Sequence, residues 1–184
     1  MKSKVNLELK YFCPDFHPIR SLLKSMDAKK IAVKKQKDYF FRLPKEQTSK
    51  VPARLKLRQE NGTETLVFYR RPNFSDKAAT NADIVLLSVK DKNLLPFLLH
   101  ALGMKVVVEK TRELWRKGNI VFHLDIVKGV GGIFEIEVWA KPNTLAQDKI
   151  KFARYRKKFL PHLSKVVRGS NENIVLEYKK SKYK

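Results

Sequence analysis

Apolar and polar positions alternate through long stretches of this chain, most clearly from Asn119 to Trp139, NIVFHLDIVKGVGGIFEIEVW. In a strand, side chains at i and i+2 share a face. The stretch therefore predicts two strands joined at a glycine-rich turn, Gly129 to Gly132. Glu135 and Glu137 fall on one face, and Ile136 and Val138 on the other. Before the turn, His123, Asp125 and Val127 oppose Phe122, Leu124 and Ile126. The same period predicts a strand from Val5 to Phe12, with Asn6, Glu8 and Lys10 against Leu7, Leu9 and Tyr11. Further strands are expected at Ile31 to Arg42, Ala53 to Glu60, Thr65 to Arg71, Ile84 to Val89 and Met104 to Lys117. Asn61-Gly62 marks a hairpin turn, because both residues tolerate positive φ. Helical spacing of Ile19, Leu22, Leu23 and Met26 predicts a helix from about His17 to Lys29. A short apolar helix follows from Asn93 to Leu102, and a longer one is expected from Ala146 to Val166. Lys45 to Pro52 and residues 73–82 read as polar loops, and the tail KKSKYK as frayed and solvated.

About eight strands with short turns, two or three helices and no βαβ rhythm predict an antiparallel α+β fold. What is unusual is the face that carries charge. Acids (Glu8, Asp125, Glu135, Glu137) and bases (Lys10, Arg54, Lys56, Arg58, Arg71, Lys110, Arg112) occupy the same parity on strand after strand. An ordinary sheet turns its charged face to water. If these strands close into a barrel, the charged faces line its interior and the apolar faces pack outward against helices. Buried charges are costly unless paired or filled, and the named bases outnumber the acids. A polyanion inside would balance them, and divalent cations on the carboxylates would let acid and phosphate share one cavity. A metal-triphosphate has that chemistry.

Composition adds a second question. The chain carries 40 Lys and Arg against 18 Asp and Glu, a net charge of +22. Such a field attracts polyanions, whether nucleic acid, polyphosphate or an anionic surface, although a lysine-rich solvated surface produces the same balance. The length of 184 residues suits a single domain. Its barrel would occupy about residues 4–140, with a helical segment at about 143–184. One cysteine, Cys13, fits a reducing compartment. No apolar run reaches signal-peptide or membrane-spanning length, so the expected location is cytoplasmic.

At this point the residues resemble a known family. NLELK near the N-terminus, QKDYFF, RLKLR, YRRP, the KTRELW strand and HLDIVKGVGGIFEIE, in that order, resemble the CYTH superfamily. Its members are also called triphosphate tunnel metalloenzymes, and include class IV adenylate cyclases and thiamine triphosphatases. The resemblance implies an eight-stranded antiparallel tunnel with a charged interior that binds a triphosphate with Mg²⁺ or Mn²⁺. By that resemblance Glu8, Asp125, Glu135 and Glu137 serve the metal. Lys10, Arg54, Lys56, Arg58, Arg71, Lys110 and Arg112 serve the triphosphate. The first glutamate of the family's ExExK motif is Asn6 here, which removes one charge from the metal site. Some cyclase-like members share the NLELK form, so the change does not mark a dead enzyme.

Other residues receive plainer readings. His123 is expected to make a local hydrogen bond, not to bind metal, since Mg²⁺ prefers oxygen. His17, His100 and His162 have no partners at metal spacing, and Cys13 has none for nucleophilic chemistry. Trp115 and Trp139 read as packing. The leading function is a class IV adenylate cyclase-like enzyme, converting ATP to cyclic AMP and pyrophosphate. The alternative enzyme is a triphosphatase acting on inorganic triphosphate, thiamine triphosphate or a nucleotide. A third reading is a non-catalytic module binding polyphosphate or nucleic acid. The pattern is compatible with a homodimer without identifying the oligomeric state.

Overall fold

In a computed structural model the described residues are 5–45, 51–70, 79–81, 83–140 and 142–182. The chain runs β1 (Val5–Phe12), α1 (His17–Ser25), β2 (Lys29–Phe41), β3 (Ala53–Glu60), β4 (Thr63–Arg70), β5 (Ala79–Asn81) and β6 (Asp83–Val89). It continues through α2 (Leu94–Leu102), β7 (Met104–Lys117), β8 (Ile120–Val127), β9 (Gly131–Ala140), α3 (Leu145–Phe159) and α4 (Asn171–Lys182). No helix among the described residues is long and apolar enough to cross a membrane.

All pairings are antiparallel, in the order β5-β1-β9-β8-β7-β2-β3-β4-β6. The expected eight long strands are present, with the three-residue β5 as a ninth. The sheet is not a closed barrel. Among the described residues β5 pairs only with β1, and β6 only with β4. These two outermost strands are nevertheless parted in sequence by residue 82 alone. Consecutive Cα atoms lie about 3.8 Å apart, so the two margins of the sheet are brought together there and the sheet is rolled into a tunnel. The polar loop expected at 73–82 thus contains a strand at its end, while residues 71–78 lie outside the described residues.

The outer face of β1, β8 and β9 is apolar and covered. Leu7, Leu9, Phe122, Leu124, Phe134, Ile136 and Val138 pack with Ile19 and Leu23 of α1 and with Phe152 and Phe159 of α3. Burying such side chains contributes about 1.5–3 kcal/mol each, which fixes strand parity: a one-residue slip would exchange this face with the charged one. Gly132 is required by a close approach. A Cβ there would lie 2.2 Å from the carbonyl oxygen of Cys13, whose N–H donates to the Gly132 carbonyl. The hairpin turn holds as expected, with Asn61 and Gly62 at φ 48° and 82°.

Two C-terminal expectations need correction. The long helix ends at Phe159, because Pro161 follows within a short 3-10 turn and cannot donate to a continuing helix. The tail is not frayed to its end, since α4 runs to Lys182. Ser170 immediately precedes α4, and Asn173 Oδ1 accepts from both the Ser170 N–H and its hydroxyl. This arrangement resembles a capping box. Ile174 and Val175 of α4 join Val167 against Phe40, Val108, Val127 and Ile133. Those four lie on the parity of Asp38, Lys110, Asp125 and Glu135, so α4 closes one end of the tunnel with an apolar plug.

Candidate functional site

Strand register assembles the interior. Across β1 and β9, Glu8 stands opposite Glu137 and Lys10 opposite Glu135. Across β8 and β9, His123 stands opposite Glu135. The Lys10 ammonium is ion-paired with Glu8 and lies 3.6 Å from Glu135. His123 Nε2 is 2.9 Å from Glu137 Oε2, so the expected local hydrogen bond is present. Ligand-capable atoms of His123, Glu135 and Glu137 all lie within 4.8 Å of one another. Burial alone would raise the Glu135 carboxyl. Lys10, His123 and Arg112 outweigh it and hold that carboxyl well below the usual range. Glu135 is therefore an anion in the interior. Two carboxylates and an imidazole at this spacing form a donor set that a divalent cation fits.

The bases come from β3 and β7, with counter-ions on β2 and β8. Asp38 accepts from Lys56 Nζ at 2.7 Å and from both Arg58 nitrogens, Nε at 2.7 Å and Nη2 at 2.8 Å. Asp125 does the same for Lys110 Nζ at 2.7 Å and for Arg112, Nε at 2.6 Å and Nη2 at 2.7 Å. Arg112 Nη2 also reaches Glu135 at 3.1 Å, joining the basic wall to the acidic one. Burial pushes Lys56 down to about 7, against the pull of Asp38, and Lys110 down to about 8, with Arg112 adding to the effect. Burial works to raise Asp38 and Asp125, but Lys56 and Arg58 hold the first below the ordinary range, and Arg112 and Lys110 the second. Lys34, Gln36, Arg58, Glu60, Thr63, Thr65, Arg112, Leu114 and His123 line a cavity of about 250 Å³ at the end away from α4. A larger groove of about 570 Å³ runs past Lys35, Lys37, Glu109 and Lys128. Of these Lys35, Lys37 and Glu109 lie on the outward parity; the groove also touches the inward Gln36 and Lys110 but none of His123, Glu135 and Glu137.

The sequence-predicted residues are thus brought together, with qualifications. Arg71 lies outside the described residues, and only the backbone of Asn6 is described, in register with Trp139. Asp125 is drawn to the bases and stands apart from the His123, Glu135 and Glu137 set. Arg54 is buried but faces α4, where Glu172 Oε1 accepts from Arg54 Nε at 3.3 Å and from Lys105 Nζ at 2.9 Å. Sequence reasoning missed Asp38 and Glu172, both 2% exposed. Asp38 shares the parity of Gln36 and Phe40 within QKDYFF, so the period-two rule could have found it. Glu172 had no such signal, since it lies in the expected helical segment at about 143–184, where the strand period does not apply. Together they correct the charge balance. Among the described residues, the six bases Lys10, Arg54, Lys56, Arg58, Lys110 and Arg112 are equalled in number by the six acids Glu8, Asp38, Asp125, Glu135, Glu137 and Glu172, with Asp38 and Asp125 each serving two bases and Glu137 facing His123. The interior does not call for a bare polyanion. It suits a ligand that brings its own cations.

A family model for the CYTH domain matches residues 4–170. The chain belongs to the CYTH family. The matched CYTH region stops one residue short of α4, so the helix that plugs the tunnel and carries Glu172 lies beyond it. A relative in Methanocaldococcus jannaschii, provisionally named an adenylate cyclase, is 27% identical over 135 residues, 72% of this chain and 76% of its own. The PH1819 protein of Pyrococcus horikoshii shares the fold with a TM-score of 0.71 at 21% identity, covering 94% of this chain and 98% of that one. So does a Hippeastrum protein, provisionally an adenylyl cyclase and described as having a dominant triphosphatase activity. Its TM-score is 0.58 at 14% identity, covering 84% of this chain and 87% of its own.

Proposed function

We propose that this CYTH protein binds a metal-complexed triphosphate in its tunnel and catalyses phosphoryl or nucleotidyl transfer on it. The observation that carries the reading is the meeting of an acidic and a basic wall through Arg112, inside a charge-balanced interior. Glu8, Glu135 and Glu137 would hold a divalent cation, Mg²⁺ or Mn²⁺, which supplies charge neutralisation and Lewis acidity. Lys10, Lys56, Arg58, Lys110 and Arg112 would then turn from their carboxylates to the phosphate oxygens. Until then Asp38 holds Lys56 and Arg58 in place, and Asp125 holds Lys110 and Arg112. Phosphoryl transfer needs positioning and charge stabilisation more than covalent participation by the protein, and this inventory supplies both. With ATP the nucleophile is the ribose 3′-hydroxyl and the products are cyclic AMP and pyrophosphate. With a triphosphatase it is water. The M. jannaschii name supports the first reading and the Hippeastrum description the second, and we take ATP cyclisation as the leading one. Incubation with ATP, inorganic tripolyphosphate and thiamine triphosphate, each with Mg²⁺ or Mn²⁺, decides it. Cyclic AMP plus pyrophosphate is the expected product; orthophosphate selects the triphosphatase, and no product from any of them ends the enzymatic reading.

A pH dependence follows from the two lowered lysines. Phosphate binding needs the ammonium form. The lysine contribution is therefore fully present below about pH 7 and is lost as pH rises through about 7 for Lys56 and about 8 for Lys110. Above those values each lysine lowers affinity by up to about tenfold per pH unit. Tripolyphosphate titrations at pH 8 in buffers of different ionisation enthalpy are expected to show net proton uptake that Lys56→Met reduces. Uptake unchanged in that variant would show Lys56 already charged or uninvolved.

The exterior supports a second, separable property. From residue 149 to 171 the chain carries Lys149, Lys151, Arg154, Arg156, Lys157, Lys158, Lys165 and Arg168 with no Asp or Glu, all exposed except the half-buried Arg156. The tunnel does not account for this charge, and binding of nucleic acid or polyphosphate there would be strongly salt-dependent.

A further inference from the structure

His123 is out of place in an all-oxygen Mg²⁺ site. Its ring is 6% exposed on the inward face of β8, and Nδ1 has no hydrogen-bond partner. Nε2 lies against Glu137, and Glu135 stands directly across the ladder. The three ligand-capable atoms span 4.8 Å at most. In an octahedral ion with ligands at about 2.1 Å, cis donors are about 3 Å apart and trans donors about 4.2 Å. His123 Nε2 and Glu137 Oε2, 2.9 Å apart, already sit at cis spacing, and a pair at the 4.8 Å limit exceeds the trans spacing by about 0.6 Å. Lys10 and Arg112, the cations nearest Glu135, are bound for phosphate oxygens in the filled site and would leave its carboxylate to the metal.

The geometry points to His123 as a direct nitrogen ligand of the cation held by Glu135 and Glu137, biasing the site from Mg²⁺ toward Mn²⁺ and other borderline ions. The inference rests on the metal reading above and deepens it. Mg²⁺ takes oxygen donors and keeps its waters, whereas an imidazole adds affinity for transition ions in the Irving–Williams sense. The competing role for His123 is that of a hydrogen-bond partner orienting Glu137. Loss of such a partner can itself cost 10–100-fold in metal affinity, so affinity alone does not separate the two roles.

The deciding experiment is pulsed EPR on the full chain loaded with Mn²⁺ and inorganic tripolyphosphate, read for modulation from a directly coordinated ¹⁴N. Wild type is expected to show it, and His123→Gln to lose it. The same substitution is expected to lower the ratio of Mn²⁺ to Mg²⁺ affinity by about tenfold or more. Bound Mn²⁺ that depends on Glu135 and Glu137 but shows no nitrogen coupling overturns the inference and leaves the metal reading standing. Mn²⁺ binding that survives Glu135→Gln plus Glu137→Gln overturns both. The wild-type spectrum decides the question even if the His123 variant folds poorly.

Discussion

Replacing Glu135 and Glu137 together by glutamine is expected to lower metal-dependent turnover by at least about a thousandfold, equivalent to roughly 4 kcal/mol of lost transition-state stabilisation. Glutamine keeps the volume and hydrogen-bonding capacity of each side chain and removes only its charge. The Lys10 and Arg112 contacts to Glu135 weaken, but Lys10 keeps Glu8 and Arg112 keeps Asp125. The fold should therefore survive, as circular dichroism and thermal melting would show. Steady-state kcat/KM with Mg²⁺ and with Mn²⁺ is the measurement. Turnover within tenfold of wild type would place the metal elsewhere. The same variant separates the tunnel from the exterior: polyanion binding by the basic segment at 149–171 is expected to persist, since neither carboxylate lies near it in the chain.

Asp125→Asn is expected to act mainly on stability. Asp125 is fully buried, and both its oxygens are taken by Lys110 and Arg112. Removing one member of a buried ion-pair group leaves uncompensated charge, which typically costs about 3–5 kcal/mol. Chemical denaturation should show a loss of that order. Tripolyphosphate with Mn²⁺ should then raise the melting temperature more in the variant than in wild type, because the ligand supplies anions to the stranded bases. An equal shift in both proteins would mean that Lys110 and Arg112 do not meet the phosphates. This outcome also tests the reassignment of Asp125 from metal ligand to counter-ion.

Much of this architecture was legible because one rule, the period of two, carries both fold and site. β3 and β7 lie where the alternation places them, and Glu8, Lys10, Lys56, Lys110, Asp125 and Glu135 share the interior as parity requires. The apolar parity of Leu7, Leu9, Phe122 and Phe134 excludes the opposite register, since α1 and α3 cover only that face. What parity does not report is pairing partner or distance. Asp38 was visible as a residue but not as the clamp on Lys56 and Arg58, which depends on β2 lying beside β3. Adding Asp38 and Glu172 narrows the seven-to-four excess of bases, and one of the seven, Arg71, lies outside the described residues. Glu172 lay further out of reach. α4 has a short apolar cluster and lysines at its end, and it forms because it fills the tunnel's mouth, a tertiary cause that local propensity does not carry. Its one local signal was the Ser170-x-x-Asn173 cap.

The rolled sheet also explains why this interior tolerates so much charge. Apart from Glu172 on α4, the ionised side chains sit on strands beside partners that the sheet sets, so little side-chain ordering remains to be done when a ligand arrives. The internal pairs must exchange partners on filling. A metal-triphosphate offers both kinds of partner at once, because the cation can replace Lys10 at the carboxylates as phosphates replace carboxylates at the bases, and the cation offsets part of the charge that the phosphates bring.

The most direct measurement is a crystal structure of the chain with Mn²⁺ and inorganic tripolyphosphate, with data at the manganese edge. An anomalous peak between Glu135 and Glu137, with the phosphates on Lys56, Arg58, Lys110 and Arg112, is the expected result. Manganese outside the tunnel, or tripolyphosphate bound only along the basic exterior of α3, would contradict it.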